Sequence, residues 1–591
     1  MKDPEMSQSI LIIVESPTKA QKFNEMFAGR LRAMATVGHI CDLPSNPVAP
    51  GIGIDRETMK GQYELTKDSN RTVDGVRVIA KFKQFLANNP GIDIYLATDP
   101  DREGESISAF VAKELKLKNP KRIRFTSITK DAIEKALASP DQIDWAAVNS
   151  REARRLIDRI IGYVASPYLY RIIKQKGAKA GRVQTAVEAL VIERERKIRN
   201  HKSQTYYTVK LDMGGWVAEW QISPNGLRSG PKPNSEYDID DPAPKCWDEA
   251  VARQIAGHRT LSVDSCEESM ESRLPPSPLY TISMIQLSNR VLGWDAEKTM
   301  QVAQKLFEGD GSGHGHITYH RTDSPNIDAA AAEDIRAWLR EQRLPVPQEP
   351  NTWKCKNKSA QEGHEAIRPT YFKVGDAGAN EDQQQLYKLI RERAIYSQLS
   401  PARYAVKRIV LTDPVTRKHR FTSTARTLVD PGWLKTAAAK SPTMQEEDES
   451  ADAASVNLPD LQRNTILNTK DSTIGKHTTK APPRYTMNTL TAKLEKLSIG
   501  RPATIAVLLK NVQTKGTIVL RKDLKLEATK LAESCYDVLY PRFSFAHIGY
   551  TAELEQALDQ IASGKLDGPA VARMVWDRLD ADCSTATPSQ P

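Results

Sequence analysis

Residues 316–324 read H-I-T-Y-H-R-T-D-S and set a tyrosine, Tyr319, two positions before an arginine, Arg321. On an extended backbone side chains alternate, so these two face the same way. A free phenol titrates near pH 10, so roughly one in a thousand is ionised at neutral pH. A guanidinium on the same face favours the phenolate and binds a phosphate oxygen. A tyrosine so placed can attack a phosphodiester and become covalently joined to it.

A second cluster is acidic. Asp99, Asp101 and Glu103 alternate within D-P-D-R-E-G-E, and an extended backbone would present all three carboxylates to one side. Acids that close repel one another, and a bound divalent cation relieves them. Magnesium takes oxygen ligands and keeps part of its water shell for substrate phosphates. Glu15 ends a neighbouring apolar run and joins Asp99, Asp101 and Glu103 as an expected Mg2+ ligand, with Lys19 four residues on. Further along, His364 is a group able to donate a proton to, or take one from, a phosphate or leaving oxygen; a purely structural hydrogen bond is an equal alternative.

The elements that must hold these groups follow from periodicity. Residues 10–15 (I-L-I-I-V-E) form a continuous apolar run ending in an acid, the pattern of a buried parallel strand. Pro17 stops it and suits the first position of a helix. Residues 92–98 (I-D-I-Y-L-A-T) read as a second such strand, and Ile107, Phe110, Val111 and Leu115 as the apolar face of the next helix. Alternating strands and helices predict a parallel sheet, with Glu15 and Asp99 at its carboxyl edge, where open α/β sheets bind ligands. Residues 201–265 and 403–426 switch to strand-like alternation, and residues 280–308 read as paired helices before the tyrosine. Residues 444–460 hold six acids and no Lys or Arg, a solvated loop.

Length and charge bound the rest. A chain of 591 residues suggests about three to five domains. Apolar runs such as residues 10–14 fall far short of the roughly 20 residues needed to span a bilayer, and the first nine residues lack the apolar core of a signal peptide. The six cysteines form no C-x-x-C pair, which argues against a zinc ribbon or disulfide framework and suits a reducing, cytoplasmic setting. The net charge of +10 is concentrated: residues 150–202 carry 14 Lys/Arg against 5 Asp/Glu, and residues 471–530 carry 12 against 4. Two such blocks suggest a surface for a polyanion. No G-x-x-x-x-G-K-[ST] loop appears, so no nucleotide cofactor is expected.

Together, Glu15 with Lys19, Asp99-x-Asp101-x-Glu103 and Tyr319-x-Arg321 resemble the signature of the type IA DNA topoisomerases. Other stretches agree: Gly38-His39-Ile40 with Asp42-Leu43-Pro44, Ala153-Arg154-Arg155 through Asp158-Arg159, Gly181-Arg182-Val183-Gln184, Gly363-His364-Glu365-Ala366-Ile367-Arg368-Pro369 and Gly500-Arg501-Pro502-Ala503-Thr504. Their order matches the family from residue 11 to about residue 530. His320 stands where a methionine or proline is expected, facing away from the pair. No cysteine tetrad follows Lys530, so the resemblance is to a compact form without zinc ribbons.

The resemblance implies a multidomain α/β + α + β chain enclosing a toroidal hole. Its parts would be an N-terminal Toprim domain with a Rossmann-like parallel sheet (1–148), a helical base (149–204 and 471–570), a β-rich arch (205–274 and 401–470), a catalytic-tyrosine domain (275–400) and a flexible tail (571–591). It implies a monomeric, nucleoid-associated bacterial enzyme that cleaves one strand of negatively supercoiled DNA through a 5′-phosphotyrosine, with Mg2+ and without ATP. Tyr319 would be the nucleophile, Arg321 and Lys19 would neutralise the phosphate, Glu15 would shuttle the proton of the 3′-oxygen, and Mg2+ on Asp99 and Asp101, with Glu103 at or just behind them, would hold the cleaved end. Arg122, Arg154, Arg155, Asp158, Gly181, Arg182, Gln184 and Arg501 would position DNA. A topoisomerase III-like decatenase is the alternative; a Toprim nuclease or primase would share the acids but need no Tyr319.

Overall fold

The computed structural model describes residues 10–44, 50–67, 73–222, 244–309, 313–355, 365–445, 457–502, 504–514 and 516–584. Its N-terminal unit is a four-stranded parallel sheet in the order Arg32–Ala35, Ile10–Val14, Asp93–Leu96, Lys121–Arg122. The run from Leu11 to Val14 is wholly buried because helices cover both faces, as a continuous apolar strand demands. Ile12 and Val14 pack against Phe23 of the helix Pro17–Met26, while Leu11 and Ile13 pack against Phe82 of Gly75–Asn88 and Phe110 of Arg102–Glu114. Adjacent strands Ile10–Val14 and Asp93–Leu96 run the same way, so Glu15 and Asp99 emerge side by side, and the Asp99 N–H donates to Glu15 Oε1 at 2.8 Å.

A helical assembly follows. The long helix Trp145–Ile173 and the helix Arg182–Asn200 pack with late helices of the chain, Lys530–Leu539, Ile548–Ala562 and Gly568–Ser584. The expected tail from residue 571 is therefore helical to residue 584. Val571, Val575, Trp576 and Leu579 bury against Leu156 and Ile160, an i, i+4 stripe strong enough to hold the helix in place.

The β-rich part is one antiparallel sheet of seven strands, ordered Ile466–Asn468, Thr260–Arg273, Ala402–Thr412, Arg420–Asp430, Val217–Gln221, Thr205–Asp212, Asp471–Thr478. Asp471–Thr478, just past the boundary expected at 470/471, pairs with Thr205–Asp212 along its full length. Between the two parts lie the helices Thr281–Leu292, Ala296–Glu308, Ala329–Glu341 and Glu381–Tyr396. Among the described residues no helix is long and apolar enough to cross a membrane.

Candidate active site

Tyr319 lies on the seam between the N-terminal sheet unit and the helices that precede it. Its backbone N–H donates to Thr126 O at 2.7 Å, and Gly315 N–H donates to Ile128 O at 2.7 Å, both across the seam. On the other side Thr318 N–H donates to Arg368 O at 2.9 Å and Thr318 Oγ1 to Ala366 O at 3.0 Å. Residues 365–369 are thus extended, their carbonyls and amides serving the tyrosine segment. His364 lies outside the described residues.

The ring of Tyr319 is buried edge-on to Phe307 with centroids 5.3 Å apart. Its hydroxyl donates to Asp101 Oδ2 at 2.5 Å, and Arg321 Nη1 donates to the Tyr319 oxygen at 3.3 Å and to Asp99 Oδ2 at 3.4 Å. Tyr319 and Arg321 do share a side, as the spacing predicts. The electrostatic expectation reverses. Burial and the Asp101 charge raise the Tyr319 pKa well above the ordinary value, and Arg321 opposes them without prevailing. The phenol stays protonated, with its proton aimed at Asp101.

Lys19 is buried with its ammonium on Asp99. Burial works against that charge, but Asp99 and Glu15 overcome it and raise the lysine pKa. Ser16 caps this helix, accepting from Lys19 N–H at 3.2 Å, with Pro17 at its first turn. Glu15 is held in a recess where burial, then repulsion from Asp99, push its pKa up to about 8. A carboxyl driven to keep its proton by neighbouring carboxylates is one that a hard divalent cation would relieve, and Glu15, Asp99 and Asp101 offer only oxygen donors. Their oxygen chemistry, rather than their present arrangement, suits such an ion.

Glu103 departs from the expectation. The helix Arg102–Glu114 starts inside the acidic motif: Asp101 is its cap, accepting from Gly104 N–H at 2.8 Å. Glu103 therefore sits in a helical turn rather than on extended backbone. It pairs with His39 and, at 3.3 Å, with Arg151. Burial would raise its pKa, but the His39 hydrogen bond and the Arg151 charge lower it. Among the described residues no three His, Cys, Asp or Glu side chains are already gathered as a metal-ligand group. Gly104 is required by contact, since a Cβ there would lie 2.1 Å from Asp99 O.

The residues expected to hold DNA divide. Arg122 must be withdrawn: it is fully buried, donating to Glu105 at 2.8 Å, Thr98 O at 2.9 Å and Asp99 O at 2.8 Å. These carbonyls end a strand and need donors, which Arg122 supplies. Arg182 is also buried, bound to Asp158 at 2.9 Å and Glu555 at 2.8 Å, and Arg154 pairs with Glu555. Arg501 binds Asp559 at 2.6 Å, and Gln184 donates to Glu188 at 2.7 Å. Gly181 caps the helix Arg182–Asn200 with extended backbone. Arg155 binds Asp42 at 2.8 Å and, like Asp158, keeps partial exposure. Within the first basic block Arg159, Arg182 and Arg194 are buried, whereas Arg171, Lys174, Lys176, Lys179, Arg199 and Lys202 remain exposed.

Sequence reasoning missed two acids, Glu555 and Asp559. Glu555 is fully buried and its pKa is lowered by Arg154, Arg182 and Arg501 against the effect of burial. The available signal is positional: Glu555 breaks the apolar face Ile548, Leu554, Leu558, Ile561 of an amphipathic helix, and Asp559 follows one turn later. It also missed His39 and Arg151 as partners of Glu103.

A family profile described as DNA topoisomerase matches residues 142–573, and one described as Toprim domain matches residues 10–128. The chain is 37% identical over 594 aligned residues to "DNA topoisomerase I, plasmid" of Xylella fastidiosa (strain 9a5c), covering 98% of this chain and 85% of that protein. DNA topoisomerase 1 of Aquifex aeolicus (strain VF5) is 31% identical, covering 96% and 98%. The structure of full-length topoisomerase I from Thermotoga maritima superposes with a TM-score of 0.71 at 29% identity, over 97% of this chain and 90% of that one.

Proposed function

This chain belongs to the type IA DNA topoisomerases, and from that premise we propose that Tyr319 is its nucleophile, working with Asp101, Arg321, Glu15 and Lys19. The observation that carries the assignment is the Tyr319 hydroxyl donating to Asp101 at 2.5 Å with Arg321 beside both. The nuclease or primase reading needs only the N-terminal unit and leaves the match over residues 142–573 without a use.

In cleavage Tyr319 Oη bonds to a backbone phosphorus and the bond from phosphorus to the 3′-oxygen breaks. The phenol proton passes to Asp101, its hydrogen-bond partner. Glu15, whose pKa is pushed up to about 8, keeps a proton at neutral pH to give to the departing oxygen, and the exchange reverses in religation. Arg321, which keeps partial exposure, and the buried Lys19 stabilise charge developing on the phosphate. Asp99, with Glu15 once its proton has gone to the 3′-oxygen, would hold Mg2+, which when bound would neutralise phosphate charge and steady the cleaved end. The phosphotyrosine ester conserves the bond energy, so no nucleotide is needed. Passage of a strand requires opening the seam, which breaks the Gly315–Ile128 and Tyr319–Thr126 backbone contacts. We assign residues to 148 as the Toprim unit, 149–204 with 479–584 as the base, 205–274 with 401–478 as the arch and 275–400 as the tyrosine unit, acting as a monomer on a single-stranded segment.

The test is relaxation of negatively supercoiled plasmid with Mg2+ and without ATP, beside Tyr319→Phe. Stepwise relaxation by the native chain and none by the variant is expected. Relaxation by both would remove Tyr319 from the mechanism.

A further inference from the structure

Asp559 sits on the helix Ile548–Ala562, far in sequence from the acidic motif, yet it takes hold of it. Its Oδ1 accepts from Arg102 Nη2 at 2.6 Å and its Oδ2 from Arg501 Nη2 at 2.6 Å. All three side chains are largely buried, at 13%, 16% and 11% exposure for Asp559, Arg102 and Arg501. Arg102 directly follows Asp101, whose two oxygens are committed to Gly104 N–H and the Tyr319 hydroxyl. One turn before Asp559 on the same face, Glu555 binds Arg154 and Arg182. A single helix therefore gathers the arginine after the catalytic acid and arginines from three separate basic motifs. Buried charge-assisted hydrogen bonds of this kind fix geometry as well as adding energy.

We infer that Asp559 is a positioning residue for DNA cleavage: by holding Arg102 against Arg501 it locks the start of the helix Arg102–Glu114 and so aims Asp101 at Tyr319. It touches no reacting atom. The inference rests on the assignment of Tyr319 and Asp101 made above. Loss of the carboxylate frees Arg102, and displacement of Asp101 by even an ångström lengthens the proton path, which costs rate rather than binding. Positive charge is not lost, because both arginines remain.

The experiment compares the full chain with Asp559→Asn, Asp559→Glu, Arg102→Met and the double variant Arg102→Met/Asp559→Asn. Affinity for a fluorescent single-stranded oligonucleotide is read by anisotropy in EDTA. Single-turnover cleavage is read with Mg2+ and saturating enzyme. Asp559→Asn is expected to cleave about tenfold or more slowly, with affinity unchanged or tighter. Asp559→Glu should recover much of the rate. Arg102→Met should match Asp559→Asn, and the double variant should be no slower than either single, because the two act through one contact. An unchanged rate, a loss residing wholly in affinity, or losses that multiply in the double variant would each overturn the inference. If Asp559→Asn melts below the assay temperature, Arg102→Met decides: slow cleavage at normal affinity upholds the inference and normal cleavage refutes it. A Tyr319→Phe control separates the two levels, since cleavage surviving in it defeats the nucleophile assignment and not the Asp559 contact alone.

Discussion

Replacing Glu15 by glutamine removes one ionisable group and leaves the shape of the site intact. The native carboxyl titrates at about 8 rather than the ordinary 4.5, because burial and Asp99 disfavour its charge. Between those two values the folded chain keeps a proton that the unfolded chain has released. The native state then binds more protons, so stability is full below the unfolded value and falls as pH rises through the window. Each tenfold difference in proton affinity between the folded and unfolded chain is worth about 1.4 kcal/mol. Glu15 retains some exposure and shares its titration with Asp99, so the realised loss is on the order of a few kcal/mol. For a unit the size of the Toprim domain that is about 2–4 °C of melting temperature per kcal/mol. Metal-free thermal melts of both proteins from pH 5 to pH 8.5 should show the wild type dropping several degrees relative to Glu15→Gln, with the gap widest at the alkaline end. The same variant cannot donate a proton to the 3′-oxygen, and its cleavage rate should fall by about 10²–10⁴. Parallel melting curves across the range would refute the raised pKa, and with it the role of Glu15 as proton donor.

Three further substitutions probe the surroundings. His320 is wholly buried, neither ring nitrogen has a hydrogen-bond partner among the described residues, and burial followed by the charges of Arg321 and Lys19 depresses its pKa. His320→Met should stabilise by about 1–3 kcal/mol in denaturant titrations. Its advantage should grow below pH 6.5, where the unfolded histidine gains a proton that the native one refuses. Glu555→Gln leaves buried Arg182 short of charge and should cost about 3–5 kcal/mol, seen as a lower denaturation midpoint. Gly104→Ala must displace the Asp99 carbonyl, since its Cβ would fall 2.1 Å away. Oligonucleotide cleavage should drop with little change in affinity.

The parallel sheet is legible in the sequence because residues 10–14 are apolar without interruption, β-branched-rich and stopped within three residues by Pro17, the pattern of a short strand covered on both faces. Glu15, Lys19, Asp99, Asp101, Tyr319 and Arg321, which the sequence offers in three separate stretches, lie together in space. Their geometry is not legible there. Asp99-x-Asp101-x-Glu103 alternates as a strand would, but Asp101 caps a helix, and a cap is recognisable only once the turn after it is placed. The sign of the Tyr319 shift also escapes, since Arg321 is visible two residues away while Asp101, which outweighs it, lies 218 positions distant. Arginines mislead most. A basic motif reads as a surface, yet Arg122 and Arg182 are buried by partners, Glu105 and Glu555, that sequence alone does not pair with them. The helix Gly568–Ser584 shows a stripe faint enough to read as a tail until Leu156 and Ile160 supply its other half.

The most direct measurement is capture of the covalent intermediate. A single-stranded oligonucleotide labelled at its 3′ end is incubated with the chain and Mg2+, denatured with detergent and digested with trypsin. The labelled peptide is then sequenced by mass spectrometry. The label should appear on the peptide containing Tyr319, at that residue, through a 5′-phosphate, and be absent from Tyr319→Phe. Label on any other residue, or a cleaved oligonucleotide with no protein attached, would contradict the assignment of Tyr319 as nucleophile.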